Sequence, residues 1–141
     1  MRPRLLEEIC AKAKLEIRYA ALLEEVVTRI EAGGCEVYTR EDGKPSSYDP
    51  YTDRPPIIRL SVKDVEAPFN VFWDLLHEYG HHLSGKRQEE DQTLAREEFA
   101  WKHADVLVRQ CPDLLLRMGD YERSKEHDLN TYRAYFGKRK P

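Results

Sequence analysis

The strongest periodic pattern in the chain lies between Pro68 and Gly85. Large apolar residues recur there at steps of three and four, which predicts an amphipathic helix over about residues 67–84. The apolar stripe of this helix consists of Phe69, Phe72, Trp73, Leu76, Gly80 and Leu83. A proline in the first turn and a glycine after the last turn are common helix boundaries. The stripe and its mostly uncharged neighbours predict a helix buried beneath a cleft.

The same segment contains the pattern His77-Glu78-Tyr79-Gly80-His81. Residues four apart lie one turn apart on the same face of a helix, so both imidazoles can reach one metal ion. Glu78 projects beside that position, where it can accept a proton from a metal-bound water during attack on a carbonyl. Zinc suits two imidazoles, one carboxylate and an open fourth position. The pattern therefore predicts His77 and His81 as metal ligands and Glu78 as the catalytic base, against the alternative of two ordinary helical histidines.

The next predicted helix, at about residues 92–110, contains the candidates for a third ligand. Glu97 falls within its apolar stripe, whereas Glu98 shares a face with charged residues. That stripe consists of Leu94, Ala100, Trp101, Ala104, Leu107 and Val108. A carboxylate on a buried face needs a partner, and a divalent metal is an effective one. The pattern favours Glu97 as the third ligand over a carboxylate paired with Lys or Arg, and over His103, which lies off the stripe.

The remaining segments predict an α+β fold that is mostly helical. Two β-branched and aromatic segments predict strands, which we expect to pair as a small antiparallel sheet packed on the motif helix and on the helix that carries Glu97. In chain order, the other predicted elements are a long N-terminal helix at residues 3 to about 32, strands at about 35–40 and 57–62, a proline-rich surface loop at 44–56, and helices at 112–118 and about 120–136.

Length and composition limit the class of protein. A chain of 141 residues has the usual size of one domain, so we expect a single domain over residues 1–141. We expect neither a transmembrane helix nor a signal peptide, because no long apolar run and no apolar N-terminal region is present. Three scattered cysteines without a CxxC pair indicate structural thiols and a cytoplasmic location. The net charge of −3 argues against general binding to nucleic acid or to anionic membranes.

The segments HEYGHH and LAREEFAWKHADVLV together resemble the gluzincin class of zinc peptidases, and more narrowly the small ImmA/IrrE-type metallopeptidases. Glu97, Ala100 and Ala104 match the spacing of that family's metal-binding glutamate and its two alanines, and the resemblance covers roughly residues 35–110. It implies a zinc-dependent endopeptidase with one Zn²⁺ per chain, held by the two motif histidines and Glu97. Such an enzyme hydrolyses peptide bonds of a protein substrate through a metal-bound water that Glu78 activates.

One position departs from the family pattern. Trp101 stands four residues after the ligand glutamate, where the family usually has an Asn or Asp that can orient a ligand histidine. We expect that role to move to Asp74, to Asp105 or to a backbone carbonyl. The departure also motivates an alternative function, a catalytically weak or inactive zinc-binding module for regulation or interaction. A helical interaction protein without metal is the third hypothesis.

The sequence does not single out the other residues of the cleft. Peptidases of this class need a donor for the transition-state oxyanion, and the candidates are Tyr121, His127, Tyr132 and Tyr135. The strand at 57–62 is expected to form the edge of the cleft and to pair with an extended protein or peptide substrate.

Gly80 interrupts a helix, which predicts close approach of another segment, namely the helix with Glu97. His82 points about 100° away from His81 around the helix, so it is not expected to be a ligand.

Overall fold

The computed structural model describes residues 3–85 and 93–137. Within these ranges the fold is mixed α+β and mostly helical, as the sequence predicts, and its one sheet has three strands rather than the two predicted. In chain order, the elements are α1 (Pro3–Lys12), a short 3-10 helix (Ile17–Tyr19), α2 (Ala20–Ala32), β1 (Glu36–Arg40), β2 (Ser47–Asp49), β3 (Ile57–Ser61), α3 (Asn70–Leu83), α4 (Thr93–Arg109), α5 (Pro112–Leu115) and α6 (Met118–Gly137).

The chain forms two compact units, residues 1–79 and residues 80–141, and the division falls within α3. The first unit contains the sheet and the helices that precede it. The second contains the last turn of α3 and the helices α4 to α6. The expectation of a single domain over residues 1–141 stays a prediction.

The N-terminal helical segment is broken, so the prediction of one long helix is wrong. α1 ends at Lys12, and Lys14 has a positive φ of 60°. The amide of Leu15 donates a hydrogen bond to the carbonyl of Cys10 at 3.0 Å, which is the backbone pattern of a Schellman helix end. The 3-10 helix follows, and its Ile17 is 77% exposed. Breaking the segment turns this side chain out to solvent.

The sheet has the strand order β1-β3-β2, and it is mixed rather than antiparallel. β1 and β3 pair in parallel, which corrects the predicted antiparallel pairing of these two strands. Only β2, which forms inside the predicted surface loop, runs antiparallel to β3. β3 is thus the central strand, with a partner on each side at residues 57–59. Residues 57–59 therefore have no free edge for a substrate strand, which corrects the expected pairing for this part of the strand at 57–62.

Apolar side chains of the sheet and of the helices around it form the core of the first unit. Val37 of β1 lies opposite Ile58 of β3 in the sheet register, and both are fully buried. The fully buried residues of the helices in this unit include Ile9, Leu23, Val27, Phe72 and Leu75. Phe69, just before α3, makes an edge contact with the ring of Tyr19 at 5.1 Å between centroids. Burial of this kind fixes the rotation of α3 and therefore the direction of its histidines.

The second unit is helical. α4 ends one residue before the prediction, and its predicted start at about residue 92 lies outside the described residues. α5 is shorter than predicted, and α6 begins two residues earlier. Among the side chains that the structure describes in these three helices, the buried ones are Glu97, Ala100, Trp101, Ala104, Leu107, Val108, Leu114, Tyr121 and Leu129. The predicted stripe of α4 is confirmed by this burial, with Leu94 half-buried at its start.

Two further observations bear on the expected setting of the protein. Among the described residues, no helix combines the length and the apolar character needed to cross a membrane. Cys10, Cys35 and Cys111 are all free and buried. The cytoplasmic location stays a prediction.

Candidate metal centre

Three potential ligands come together as the sequence predicts. His77 and His81 lie one turn apart on α3, and Glu97 lies in the first half of α4. Each offers one ligand atom, and these atoms all lie within 4.8 Å of one another. His77 and Glu97 are buried and His81 is half-buried, so little water competes at the group.

Glu97 makes the shortest contact of this group. Its Oε2 lies 2.6 Å from Nε2 of His81, within hydrogen-bonding distance. The carboxylate is on the buried face of α4 and is only 4% exposed, whereas Glu98 is exposed. This difference confirms the assignment of Glu97, and not Glu98, to the apolar stripe.

The donor set fits a divalent metal of the zinc type. Two imidazoles and one carboxylate are the ligands of a common catalytic zinc site, and tetrahedral coordination holds ligand atoms roughly 3.3 Å apart. The three ligand atoms here are within 4.8 Å, so small side-chain rotations suffice to reach that spacing. His82 and His103 are half-buried and do not belong to the group formed by the described residues.

Gly80 allows α4 to lie close to the last turn of α3. A Cβ placed on Gly80 would lie 2.2 Å from the carbonyl oxygen of Ala100, far inside van der Waals contact. Any larger residue would push the backbone of α4 away. The predicted reason for a glycine inside the motif helix is thus confirmed.

Glu78 lies beside the ring of His77. Its side chain is buried, and its Oε2 is 3.4 Å from Nδ1 of His77. From this position a carboxylate has two possible tasks: to act as a base next to a metal, or to orient the imidazole of a ligand histidine. The role of Glu78 as the catalytic base stays a prediction.

The two acidic residues expected to orient a ligand histidine have other bonds. Asp105 accepts hydrogen bonds from the hydroxyl of Tyr121 and from Nζ of Lys125. Asp74 accepts one from the hydroxyl of Ser46 at 3.0 Å, and that hydroxyl in turn accepts the amide of Ser61. Asp105 is therefore part of a separate hydrogen-bond network in the second unit. Asp74 links α3 to the residue that precedes β2.

The structure narrows the candidates for an oxyanion donor. Tyr121 is fully buried and its hydroxyl is bonded to Asp105, which disfavours it among the candidate donors to a substrate. Burial and the neighbouring Asp105 raise the pKa of Tyr121 well above its ordinary value. His127 is exposed and Tyr132 is half-buried on α6. The side chain of Tyr135 lies outside the described residues.

One contact of the Glu97 helix was not expected from the sequence. Nε1 of Trp101 donates a hydrogen bond to Oδ2 of Asp128 on α6 at 2.8 Å. Tyr121, Lys125 and Asp128 follow one another at steps of four and three, so they share one face of α6. That spacing is the sequence signal for a polar face directed at a neighbouring helix.

Comparisons of the chain with protein-family models, with curated proteins and with solved structures gave no match. The resemblance to the ImmA/IrrE-type metallopeptidases therefore stays a prediction that rests on the motif and on the spacing of Glu97. The geometry of His77, His81 and Glu97 is independent of that resemblance.

Proposed function

We propose that this protein is a zinc-dependent endopeptidase that hydrolyses peptide bonds of a protein substrate. The observation that carries the proposal is the buried group of His77, His81 and Glu97, whose ligand atoms lie within 4.8 Å of one another. Two imidazoles four residues apart on a helix, with a carboxylate from a second helix, form a donor set that leaves a coordination position open for chemistry.

Each of the four residues of the site has its own role in such a reaction. Zinc, when bound, acts as a Lewis acid that polarises the peptide carbonyl and makes water more acidic. His77, His81 and Glu97 hold the ion. Glu78 takes the proton of the attacking water and then passes it to the nitrogen of the leaving amine, which completes the cleavage of the C–N bond. Its position beside His77 supports this role, because a general base must lie within reach of the proton that it accepts.

The proposed substrate is a protein or peptide in the cytoplasm. No nucleic acid or membrane partner is proposed, because the net charge of −3 does not favour binding to polyanions. The expected cofactor is one Zn²⁺ per chain.

Replacing the proposed base tests the mechanism. Glu78→Gln keeps the size of the side chain but removes its ability to accept a proton. With fluorescein-labelled casein as the probe, the wild-type protein loaded with zinc should release fluorescent peptides, and Glu78→Gln should do so at least about a hundredfold more slowly with its zinc retained. Glu98→Gln is the matched control, because Glu98 is an exposed carboxylate on α4, and it should cleave at the wild-type rate. Cleavage by Glu78→Gln at the wild-type rate would contradict the mechanism.

A second candidate is a zinc-binding module for regulation or interaction that does not turn over a substrate. The position of the Glu78 carboxylate, 3.4 Å from Nδ1 of His77, favours it, because a carboxylate there can orient a ligand histidine. On this hypothesis, zinc-loaded wild-type protein leaves casein intact. Glu78→Gln then weakens zinc binding by about 10- to 100-fold, the usual effect of losing such a partner. The two candidates thus differ in the effect of this substitution on zinc affinity: the endopeptidase variant retains its zinc, and the module variant binds zinc more weakly.

A further inference from the structure

The turn of α4 that follows Glu97 is fastened to α6 through Trp101. The indole is 4% exposed, and its Nε1 donates a hydrogen bond to Oδ2 of Asp128 at 2.8 Å. The ring also makes an edge contact with Tyr121, with 5.7 Å between the centroids. A directional bond and a ring contact together restrict the indole more tightly than apolar packing alone.

A second set of contacts holds the backbone of the same turn. The hydroxyl of Tyr121 hydrogen bonds with the carboxylate of Asp105 and lies 3.3 Å from the carbonyl oxygen of Trp101. Nζ of Lys125 lies 3.2 Å from Oδ1 of Asp105, and this half-buried pair closes the network. The backbone and the side chain of Trp101 are therefore both anchored to α6.

The position of Trp101 relative to Glu97 gives these contacts a consequence. Residues four apart lie one turn apart on the same face of a helix, so Glu97 and Trp101 occupy adjacent turns of the buried face of α4. Any rotation or sliding of α4 that displaces Trp101 also displaces the Glu97 carboxylate. Metal coordination tolerates errors of only about 0.2 Å in ligand distance, so a ligand helix needs directional restraints.

We infer that Trp101 and Asp128 are positioning residues that hold Glu97 in register with His81. The inference rests on the proposed zinc site. Trp101 then does not orient a ligand histidine. Its indole N–H instead holds α4, the helix that carries the carboxylate ligand, in place.

Zinc affinity and stability, measured in the same variants, test this inference. Trp101→Phe removes the N–H but keeps an aromatic ring, and Asp128→Ala removes the acceptor. Leu129→Ala is the control, because Leu129 is a buried neighbour on α6 without a polar bond to α4 in the described structure. Zinc affinity is measured by competition with a chromogenic chelator, and stability by urea denaturation of the zinc-free protein.

Trp101→Phe and Asp128→Ala should each weaken zinc binding by about tenfold or more. Asp128→Asn keeps an acceptor oxygen, so it should lose less affinity than Asp128→Ala. Leu129→Ala should lose stability but retain its zinc affinity. The visible absorption of bound Co²⁺ should also change in Trp101→Phe and stay unchanged in Leu129→Ala, because only the former disturbs the ligand geometry.

Two results would overturn the inference while the zinc site stands. The first is wild-type zinc affinity in Trp101→Phe and Asp128→Ala. The second is a loss of affinity in Leu129→Ala as large as theirs, which would reduce the network to a role in stability. Failure of the wild-type protein to bind zinc would instead contradict the proposed function, so the two failures are distinguishable.

Discussion

The carbonyl oxygen of Ala100 lies 2.2 Å from the place that a Cβ on Gly80 would occupy. The backbone of α4 therefore passes α3 at the one position of the motif that has no side chain. His81 follows Gly80 directly, and Glu97 precedes Ala100 by one helical turn. Close approach at Gly80 thus accompanies the 2.6 Å contact between His81 and Glu97.

Gly80→Ala should disrupt this approach, although alanine ordinarily favours a helix. The added methyl group meets backbone rather than a flexible side chain, so α4 has to move. We expect a loss of about 1–3 kcal/mol in the free energy of unfolding, together with weaker zinc binding. Urea denaturation and chelator competition measure the two effects.

Gly119→Ala is the matched control for this substitution. A Cβ there would lie 3.7 Å from a guanidinium nitrogen of Arg123, which is ordinary contact. Because Gly119 lies within α6, the control should gain up to about 1 kcal/mol of stability and leave zinc affinity unchanged. Equal changes in both glycine variants would show that the contact with Ala100 does not matter.

Glu97→Ala and Glu98→Ala should differ strongly in zinc affinity. The two carboxylates are neighbours on α4, but only Glu97 is buried and in contact with His81. Loss of a ligand should exceed the effect of losing an outer partner, so we expect Glu97→Ala to weaken zinc binding by more than about a hundredfold. Glu98→Ala should bind as the wild type does. A larger loss in the Glu98 variant would reverse the assignment of the third ligand.

Alkaline pH should destabilise the fold through Tyr121. Burial and the Asp105 carboxylate raise the pKa of this phenol in the folded chain, whereas the unfolded chain titrates near 10. As the pH rises, the unfolded state therefore loses this proton before the folded state does. The contribution of Tyr121 to the free energy of unfolding then declines above about pH 10. Tyr121→Phe should show a smaller decline of the urea midpoint between about pH 9 and 11.

Tyr51 provides a control, because its pKa is shifted in the opposite direction to that of Tyr121. Hydrogen bonds with Arg59 and Arg54 lower the pKa of Tyr51, so its ionisation favours the folded state as the pH rises. Tyr51→Phe should therefore leave the alkaline decline at least as steep as in the wild type. A decline that is reduced in Tyr51→Phe and unchanged in Tyr121→Phe would contradict the assignment to the buried phenol.

The sequence predicts those parts of the fold that depend on periodic burial. The stripe from Phe69 to Leu83 locates α3 within about three residues, and the same reasoning separates Glu97 from Glu98. These predictions succeed because one buried face of a helix imposes its period on the residues. The spacing of His77 and His81 follows from the same helical geometry.

Features that depend on tertiary contacts were not predictable in this way. The helix end after α1 has Lys14 at a positive φ, a conformation that glycine adopts more often. Because this position is not a glycine, the sequence lacks the usual signal for a helix end there. The parallel pairing of β1 with β3 depends on a connection that contains β2, and strand composition carries no information about direction. The bond from Trp101 to Asp128 joins helices distant in sequence, and only the spacing along α6 indicates it.

The zinc content of the purified protein tests the central claim most directly. Wild type, His77→Ala and His82→Ala are purified without chelators and examined by elemental analysis, with circular dichroism to verify the helical content. His82 is the matched control, because it neighbours His81 on α3 but lies outside the ligand group of the described residues. Wild type and His82→Ala should each contain about one zinc per chain, and His77→Ala should contain far less while remaining folded. Absence of zinc from the wild type even after zinc is added, or equal zinc in His77→Ala, would contradict the metal site.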